Sequence, residues 1–258
     1  MNLRLNFELS EKYVSGSQIS RIITEDWVSK NMFCPICGAP FIKHYKANRP
    51  VADFFCESCH SDFELKSKKS ETSKIGNKIT DGAYEKMIER ITSFNNPHLL
   101  IMTYAHELVN NLMFIPNYFF VPEIIEKRTP LSSTACRAGW VGCNIIVEKI
   151  PQSGKIFIVR DSKFEDKQKI LLQYQRTVSL CERKIERRGW IMDVLKCIEK
   201  INNDSFSIDD VYFFADELKQ KHPNNNFVKD KIRQQLQLLR DKGFIEFKGK
   251  GYYKKIVL

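Results

Sequence analysis

Nowhere in these 258 residues is there an uninterrupted apolar run of about 18 residues, the length a membrane-spanning helix requires. The N-terminus, Met1-Asn2-Leu3-Arg4-Leu5-Asn6-Phe7-Glu8, also lacks the apolar stretch of a secretory signal. The two absences exclude a membrane partner and predict a soluble, cytoplasmic protein. Negative charge is in short supply, with 31 Asp and Glu against 41 Lys and Arg, a net charge of +10. A surplus of that sign suits an anionic partner such as nucleic acid, although charge by itself selects none. At 43% hydrophobic and 28% charged residues the composition is ordinary for a globular chain, which leaves room for one large domain or two modest ones.

Eight cysteines in a chain without an export signal favour metal ligation or buried thiols over disulfides, because a reducing compartment keeps thiols open. Cys34-Pro35-Ile36-Cys37-Gly38 and Cys56-Glu57-Ser58-Cys59 are tight knuckles, each able to present two thiolates to one tetrahedral ion. The pair predicts a closed, structural four-sulfur zinc site, with Gly38 allowing the turn that such a knuckle needs. A redox Cys-x-x-Cys needs no second pair, and Cys56-x-x-Cys59-His60 as a haem attachment would require export. Cys136, Cys143, Cys181 and Cys197 have no paired spacing and are expected as small buried hydrophobes.

From Asn48 to Ser67 the chain reads as a hairpin that turns at the second knuckle. Antiparallel register about Ser58 and Cys59 sets Cys56 beside Ser61 and Asp53 opposite Glu64, and such partners have Cβ atoms about 5 Å apart. Lys66 falls on the same face as Glu64, since strand side chains repeat every second residue. Phe54, Phe55, Phe63 and Leu65 supply the apolar remainder. Facing carboxylates repel unless a hard cation such as Mg²⁺ lies between them, where it also orients phosphate oxygens and polarises water. A lysine alongside can hold or help deprotonate that water and offset phosphate charge. A solvated surface ion pair has the same residue types, and Asp-x10-Glu-x-Lys alone is a loose pattern. Pro50 ahead of Asp53 and the apolar strand context favour the metal site of a nuclease.

Further stretches join these: Thr24-Glu25-Asp26-Trp27-Val28, Asn48-Arg49-Pro50-Val51-Ala52-Asp53-Phe54, Phe63-Glu64-Leu65-Lys66-Ser67-Lys68-Lys69, Asp81-Gly82-Ala83-Tyr84, Arg137-Ala138-Gly139-Trp140-Val141-Gly142-Cys143-Asn144-Ile145 and Ile232-Arg233-Gln234-Gln235-Leu236-Gln237. With them the chain resembles, essentially end to end, the DpnI-type methyl-directed restriction endonucleases of the PD-(D/E)xK nuclease superfamily. The resemblance implies Mg²⁺-dependent cleavage of double-stranded DNA at GATC when its adenine carries an N6-methyl group. It assigns Asp53 and Glu64 as metal ligands and Lys66 as the third catalytic residue. A monomer is expected.

The rest of the N-terminal part reads as mixed α/β. Gln18 to Lys30 has helical apolar spacing at Ile19, Ile22, Ile23 and Trp27, whereas Leu99 to Tyr104, Leu112 to Ile115 and Ile156 to Val159 are strand-like. Arg128 to Asn144, with Gly139 and Gly142, reads as a long loop carrying Arg137 and Trp140, and long ordered loops are frequently functional. A tryptophan is ordinarily a core residue. The resemblance points instead to Trp140 as a sensor of the methyladenine.

A charged, helix-permissive stretch from Phe164 to Arg187 leads to a boundary near residue 184. Trp190 to Ile201 has helical spacing, Ser207 caps a helix with Asp210 completing an imperfect capping box, and Asn226 to Lys242 forms a third helix ended by Gly243. On that third helix Ile232, Leu236 and Leu239 are expected inward and Lys231, Gln234, Gln235 and Gln237 outward or at its flank. Two strands around Lys248-Gly249-Lys250-Gly251 complete three helices and a hairpin, a winged helix. Its surplus of Lys and Arg supports DNA contact by Lys231, Arg233, Gln234 and Gln237, with arginine and glutamine suited to base edges and Lys248 and Lys250 to phosphates. Winged helices also mediate protein contacts.

The reading is therefore an α/β restriction-endonuclease-like domain over residues 1–183, a mixed central sheet with flanking helices. It is stapled by zinc at Cys34, Cys37, Cys56 and Cys59 (insertion about 34–59) and followed by a winged helix over 184–258. Its rivals are a zinc-ribbon, winged-helix transcriptional regulator, a PD-(D/E)xK nuclease with a repair role, and a zinc-scaffolded protein-interaction module.

Overall fold

The computed structural model describes residues 2–45, 52–72 and 74–256, so the Asn48-Arg49-Pro50-Val51 part of the hairpin motif lies outside the described residues. In chain order the first part contains α1 (Gly16–Asn31), β1 (Lys43–His44), β2 (Phe54–Phe55), β3 (Asp62–Lys69), β4 (Lys78–Ala83), α2 (Tyr84–Thr92), β5 (His98–Ala105), β6 (Leu108–Ile115), β7 (Ile125–Lys127), β8 (Gly142–Ile146), β9 (Ile156–Arg160), β10 (Lys163–Phe164) and α3 (Lys167–Val178). A seven-stranded sheet runs β1-β2-β3-β5-β6-β9-β10, and a separate three-stranded sheet runs β4-β8-β7. In the large sheet β3 and β5 are parallel, while the other neighbours are antiparallel.

Strand β5 is buried along its whole length, as the uninterrupted run Leu99-Leu100-Ile101-Met102 requires of a strand covered on both faces. Its alternation divides the core. Leu100, Met102 and Tyr104 pack on the side of α1 with Ile23, Trp27 and Val28, whereas Leu99 and Ile101 pack with α2 and with Cys143 and Ile145 of the small sheet. Helix α1 is also held to β3 by polar contacts: Ser20 and Thr24 each place a hydroxyl 3.1 Å from that of Ser67.

Beyond residue 184 follow α4 (Ile185–Lys200), β11 (Ser205–Ser207), α5 (Ile208–Tyr212), α6 (Ala215–Lys221), α7 (Val228–Asp241), β12 (Ile245–Gly249) and β13 (Tyr252–Lys255). The strands form a sheet in the order β11-β13-β12. Ser207 and Asp210 make the reciprocal capping box, and Gly243 closes α7 with φ +74°. The sequence reading missed α6 and the short strand β11. Helix α6 is charged, and only its Leu218 is buried, so its apolar periodicity is faint.

The core under α2 continues without a break into α4 and α7. Arg188, wholly buried, ties the two parts together: its guanidinium donates to the Ile91 carbonyl at 2.7 Å and lies over the Phe94 ring.

Three expectations need correction. Cys136 and Cys181 are exposed, because they lie in turns outside the core, while Cys143 and Cys197 are buried as expected. The loop after Arg128 ends at Val141, since Gly142 to Asn144 already pair with β4. Gln235 faces inward beside Leu236, because its place on the α7 turn is adjacent to the apolar stripe.

Candidate active site

The second cysteine knuckle builds the hairpin. The Cys56 N–H donates to the Ser61 carbonyl at 3.0 Å, and His60 N–H closes the turn on the Cys56 carbonyl at 2.9 Å. Phe54 pairs with Phe63 and Phe55 with Asp62, so the next step along the ladder sets Asp53 against Glu64. This is the register that the knuckle spacing predicts. Cys34 Sγ lies 3.7 Å from Cys59 Sγ and Cys37 Sγ 3.6 Å from Cys56 Sγ, with all four sulfurs within 4.8 Å of one another. A tetrahedral ion with bonds of about 2.3 Å requires sulfurs about 3.8 Å apart, so the four cysteines fit zinc and could hold such an ion. Burial raises the Cys56 thiol, but the backbone N–H groups of Cys59 and Ser58, together with hydrogen bonds from the Cys37 and Cys59 thiols, more than offset it and leave the group at about 7. Gly38, at φ +78°, makes the corresponding turn behind the first knuckle.

Asp53, Glu64 and Lys66 line one cavity of about 590 Å³, together with Arg21, Thr24, Glu25, Ser67 and Lys68. Asp53 is oriented by its own hairpin, its Oδ2 accepting from the Leu65 N–H at 2.7 Å. Burial raises the Asp53 carboxyl, opposed by that N–H and reinforced by the charge of Glu25. Glu64 is likewise raised, first by burial, with Lys66 opposing and Asp81 adding to the rise. The Lys66 ammonium sits between two carboxylates, 2.7 Å from Glu64 Oε1 and 2.5 Å from Asp81 Oδ1. Burial alone would lower Lys66; the two carboxylates reverse this and keep it firmly protonated.

Sequence reasoning missed two members of this constellation. Glu25, on α1, accepts from Arg21 Nε at 2.7 Å and meets His44 Nε2 at 2.9 Å. Asp81, on β4, is nearly inaccessible, and its Oδ2 is buried without a hydrogen-bond partner. Both belong to stretches that carry the family resemblance, and an aspartate within a strand was the available signal. A hard divalent cation suits the oxygen donors of Asp53 and Glu64, which stand on facing arms of the hairpin and line the same cavity.

The proposed DNA-contacting residues fall in two other places. Arg137 is exposed on the 128–141 loop, which is closed by Leu131 N–H to Trp140 carbonyl at 2.9 Å and by Gly139 N–H to Leu131 carbonyl at 3.0 Å. Trp140 is half-buried rather than exposed. Its ring packs against Gly142, so that a Cβ there would come within 2.8 Å of Cζ3 and Cη2. On α7, Arg233, Gln234 and Gln237 are exposed, and Lys231 donates to Gln234 Oε1 at 2.7 Å. Lys248 and Lys250 are exposed in the wing, the former paired with Glu246 at 2.7 Å. Among the described residues no helix is long and apolar enough to cross a membrane.

Residues 1–183 match the DpnI, Dam-replacing family, and residues 186–255 match the Dam-replacing HTH domain of the same family. The two matches together cover nearly the entire chain. The protein belongs to the DpnI-type, Dam-replacing family of methyl-directed restriction endonucleases.

Proposed function

We propose that the protein is a type II restriction endonuclease that hydrolyses both strands of DNA at GATC sites carrying N6-methyladenine, acting as a cytoplasmic monomer. The observation that carries this reading is the convergence of Asp53, Glu64 and Lys66 in one cavity on a hairpin held by its own backbone. Asp53 and Glu64 would hold Mg²⁺, which when bound neutralises the two carboxylates, orients phosphate oxygens and polarises water. Asp53 is aimed by the Leu65 N–H, and Glu64 stands across the ladder from it. Lys66, protonated and doubly paired, serves as a fixed cation that donates hydrogen bonds to the phosphate or the attacking water. In-line attack at phosphorus leaves a 3′ hydroxyl and a 5′ phosphate. Cys34, Cys37, Cys56 and Cys59 would hold structural zinc and take no part in the chemistry.

The catalytic domain extends over residues 1–183 and the winged helix over 184–258. Arg233, Gln234 and Gln237 present the base-reading groups of α7, Lys231 flanks them, and Lys248 and Lys250 meet phosphates. Arg137 and Trp140 extend recognition to the first domain, with Trp140 packing against the methylated base. Digestion of plasmid grown with and without adenine methylation, by purified protein in Mg²⁺, tests the whole reading. Cutting of methylated DNA alone is expected. Equal cutting of both substrates would point to a PD-(D/E)xK nuclease of another role, and no cutting of either to a DNA-binding regulator.

A further inference from the structure

Lys66 belongs to the large sheet, whereas its second partner, Asp81, belongs to the small one. Strand β4 pairs with β8 so that Asp81 faces Cys143 and Ala83 faces Gly142, the residue on which the Trp140 ring lies. The 128–141 loop is bonded to the same place, through Arg128 N–H to the Gly142 carbonyl at 3.0 Å and Tyr84 N–H to the Val141 carbonyl at 3.1 Å. One buried carboxylate therefore links the lysine to the sheet that carries the loop.

A purely structural role explains this arrangement poorly. A buried ion pair contributes little net stability, and the buried, unpartnered Oδ2 of Asp81 is a further penalty that an apolar residue would avoid. Glu64, the other partner of Lys66, would also be a ligand of the metal in the proposed reaction. Once its oxygens are engaged there, Lys66 keeps only the partner that holds no metal.

We propose that Asp81 is the positioning residue of Lys66: it retains the ammonium at the reacting phosphate after Glu64 engages the metal, and it fixes that position to the sheet bearing the 128–141 loop. The inference rests on the reading of Lys66 as a catalytic residue. It differs from that reading in what it predicts for a variant that leaves Asp53, Glu64 and Lys66 untouched.

Two measurements on Asp81→Asn test it. In protein kept free of Mg²⁺ but with its cysteine site left loaded, acylation of amines followed by peptide mass spectrometry should show Lys66 modified several-fold faster than in the unsubstituted protein, with exposed lysines such as Lys12 unchanged. With Mg²⁺ and a methylated GATC duplex, kcat should fall about 100-fold while KM stays constant, the scale expected when a catalytic group is misplaced by about 1 Å. Asp81→Glu, which retains the charge, should recover part of kcat, and Asp81→Ser supplies the loss-of-charge comparison should the Asn variant not fold. An unchanged Lys66 acylation rate, or a kcat within twofold of normal, in a folded variant that removes the charge overturns the proposal. If the unsubstituted protein cuts nothing, the nuclease reading fails instead, and the acylation result still reports whether Asp81 holds Lys66.

Discussion

Replacing His98 should flatten the acid side of the stability profile. His98 is buried on β5 among Phe63, Phe114 and Tyr174, and its Nδ1 accepts the Asn117 N–H at 3.1 Å. Burial lowers it from 6.5 to about 3, so the folded protein holds a neutral imidazole. Because the folded value lies below the unfolded one, the unfolded chain binds more protons between these limits and stability falls as pH drops through them. Each pH unit within the window is worth roughly 1.4 kcal/mol, so at about pH 4.5 the single residue withdraws roughly 3 kcal/mol relative to neutrality. That is a large share of a total of about 5–15 kcal/mol. Urea unfolding at several pH values, for the natural protein and His98→Gln, measures the difference in slope. The Gln variant should be less stable near neutrality, having lost packing and the Asn117 bond, yet less sensitive to acid. Parallel slopes for the two proteins below about pH 6 would refute the reasoning.

Removing zinc by chelation, or replacing Cys34 in its buried corner, should sharply lower the melting temperature, because structural zinc sites are worth about 10–16 kcal/mol of apparent binding energy; a fully stable four-cysteine variant would refute the zinc assignment. Neutralising Lys248 and Lys250 should weaken binding alike for every DNA sequence and reduce the salt slope by about 2, and unaltered affinity would remove the wing from the interface. Trp140→Ala should reduce the ratio of methylated to unmethylated GATC cleavage, and an unchanged ratio in folded protein would sink the sensor role. Gly142→Ala would push a Cβ into the Trp140 ring at 2.8 Å, which should destabilise the protein by about 1–3 kcal/mol or displace the indole, as read by melting and by tryptophan fluorescence.

Features specified by neighbours in sequence were legible from the residues: the two knuckles, the hairpin register that faces Asp53 with Glu64, the all-buried β5 and the Ser207 capping box. Features that depend on distant packing were not. Asp81 meets Lys66 only because β4 leaves the large sheet to pair with β8, a topology that no local periodicity announces. Glu25 reaches the cavity because α1 is fastened to β3 at Ser67, and a surface helix would display the same acidic residue to solvent. Trp140 shows the limit from the other side. Its loop was visible in the glycines, but its half-buried seat on Gly142 follows from a β4–β8 pairing that begins two residues after it.

Two members of the four-cysteine cluster, Cys56 and Cys59, share a single hairpin with the candidate catalytic site, and this makes the coupling of the two a physical question. Cys56 lies three residues beyond Asp53 on one arm, and Cys59 lies five before Glu64 on the other, so the ion that would close the turn also limits how the arms slide past each other. A one-residue slip would reverse the face of every side chain on one arm and carry Asp53 away from Glu64. The two-residue strand β2 has few ladder bonds of its own to resist this. Cys56→Ser should consequently impair Mg²⁺-dependent cutting more than it impairs binding of methylated DNA by the winged helix, whose sheet and caps lie on a separate part of the chain. A folded Cys56→Ser protein that cuts normally would show that the two sites are neighbours and nothing more.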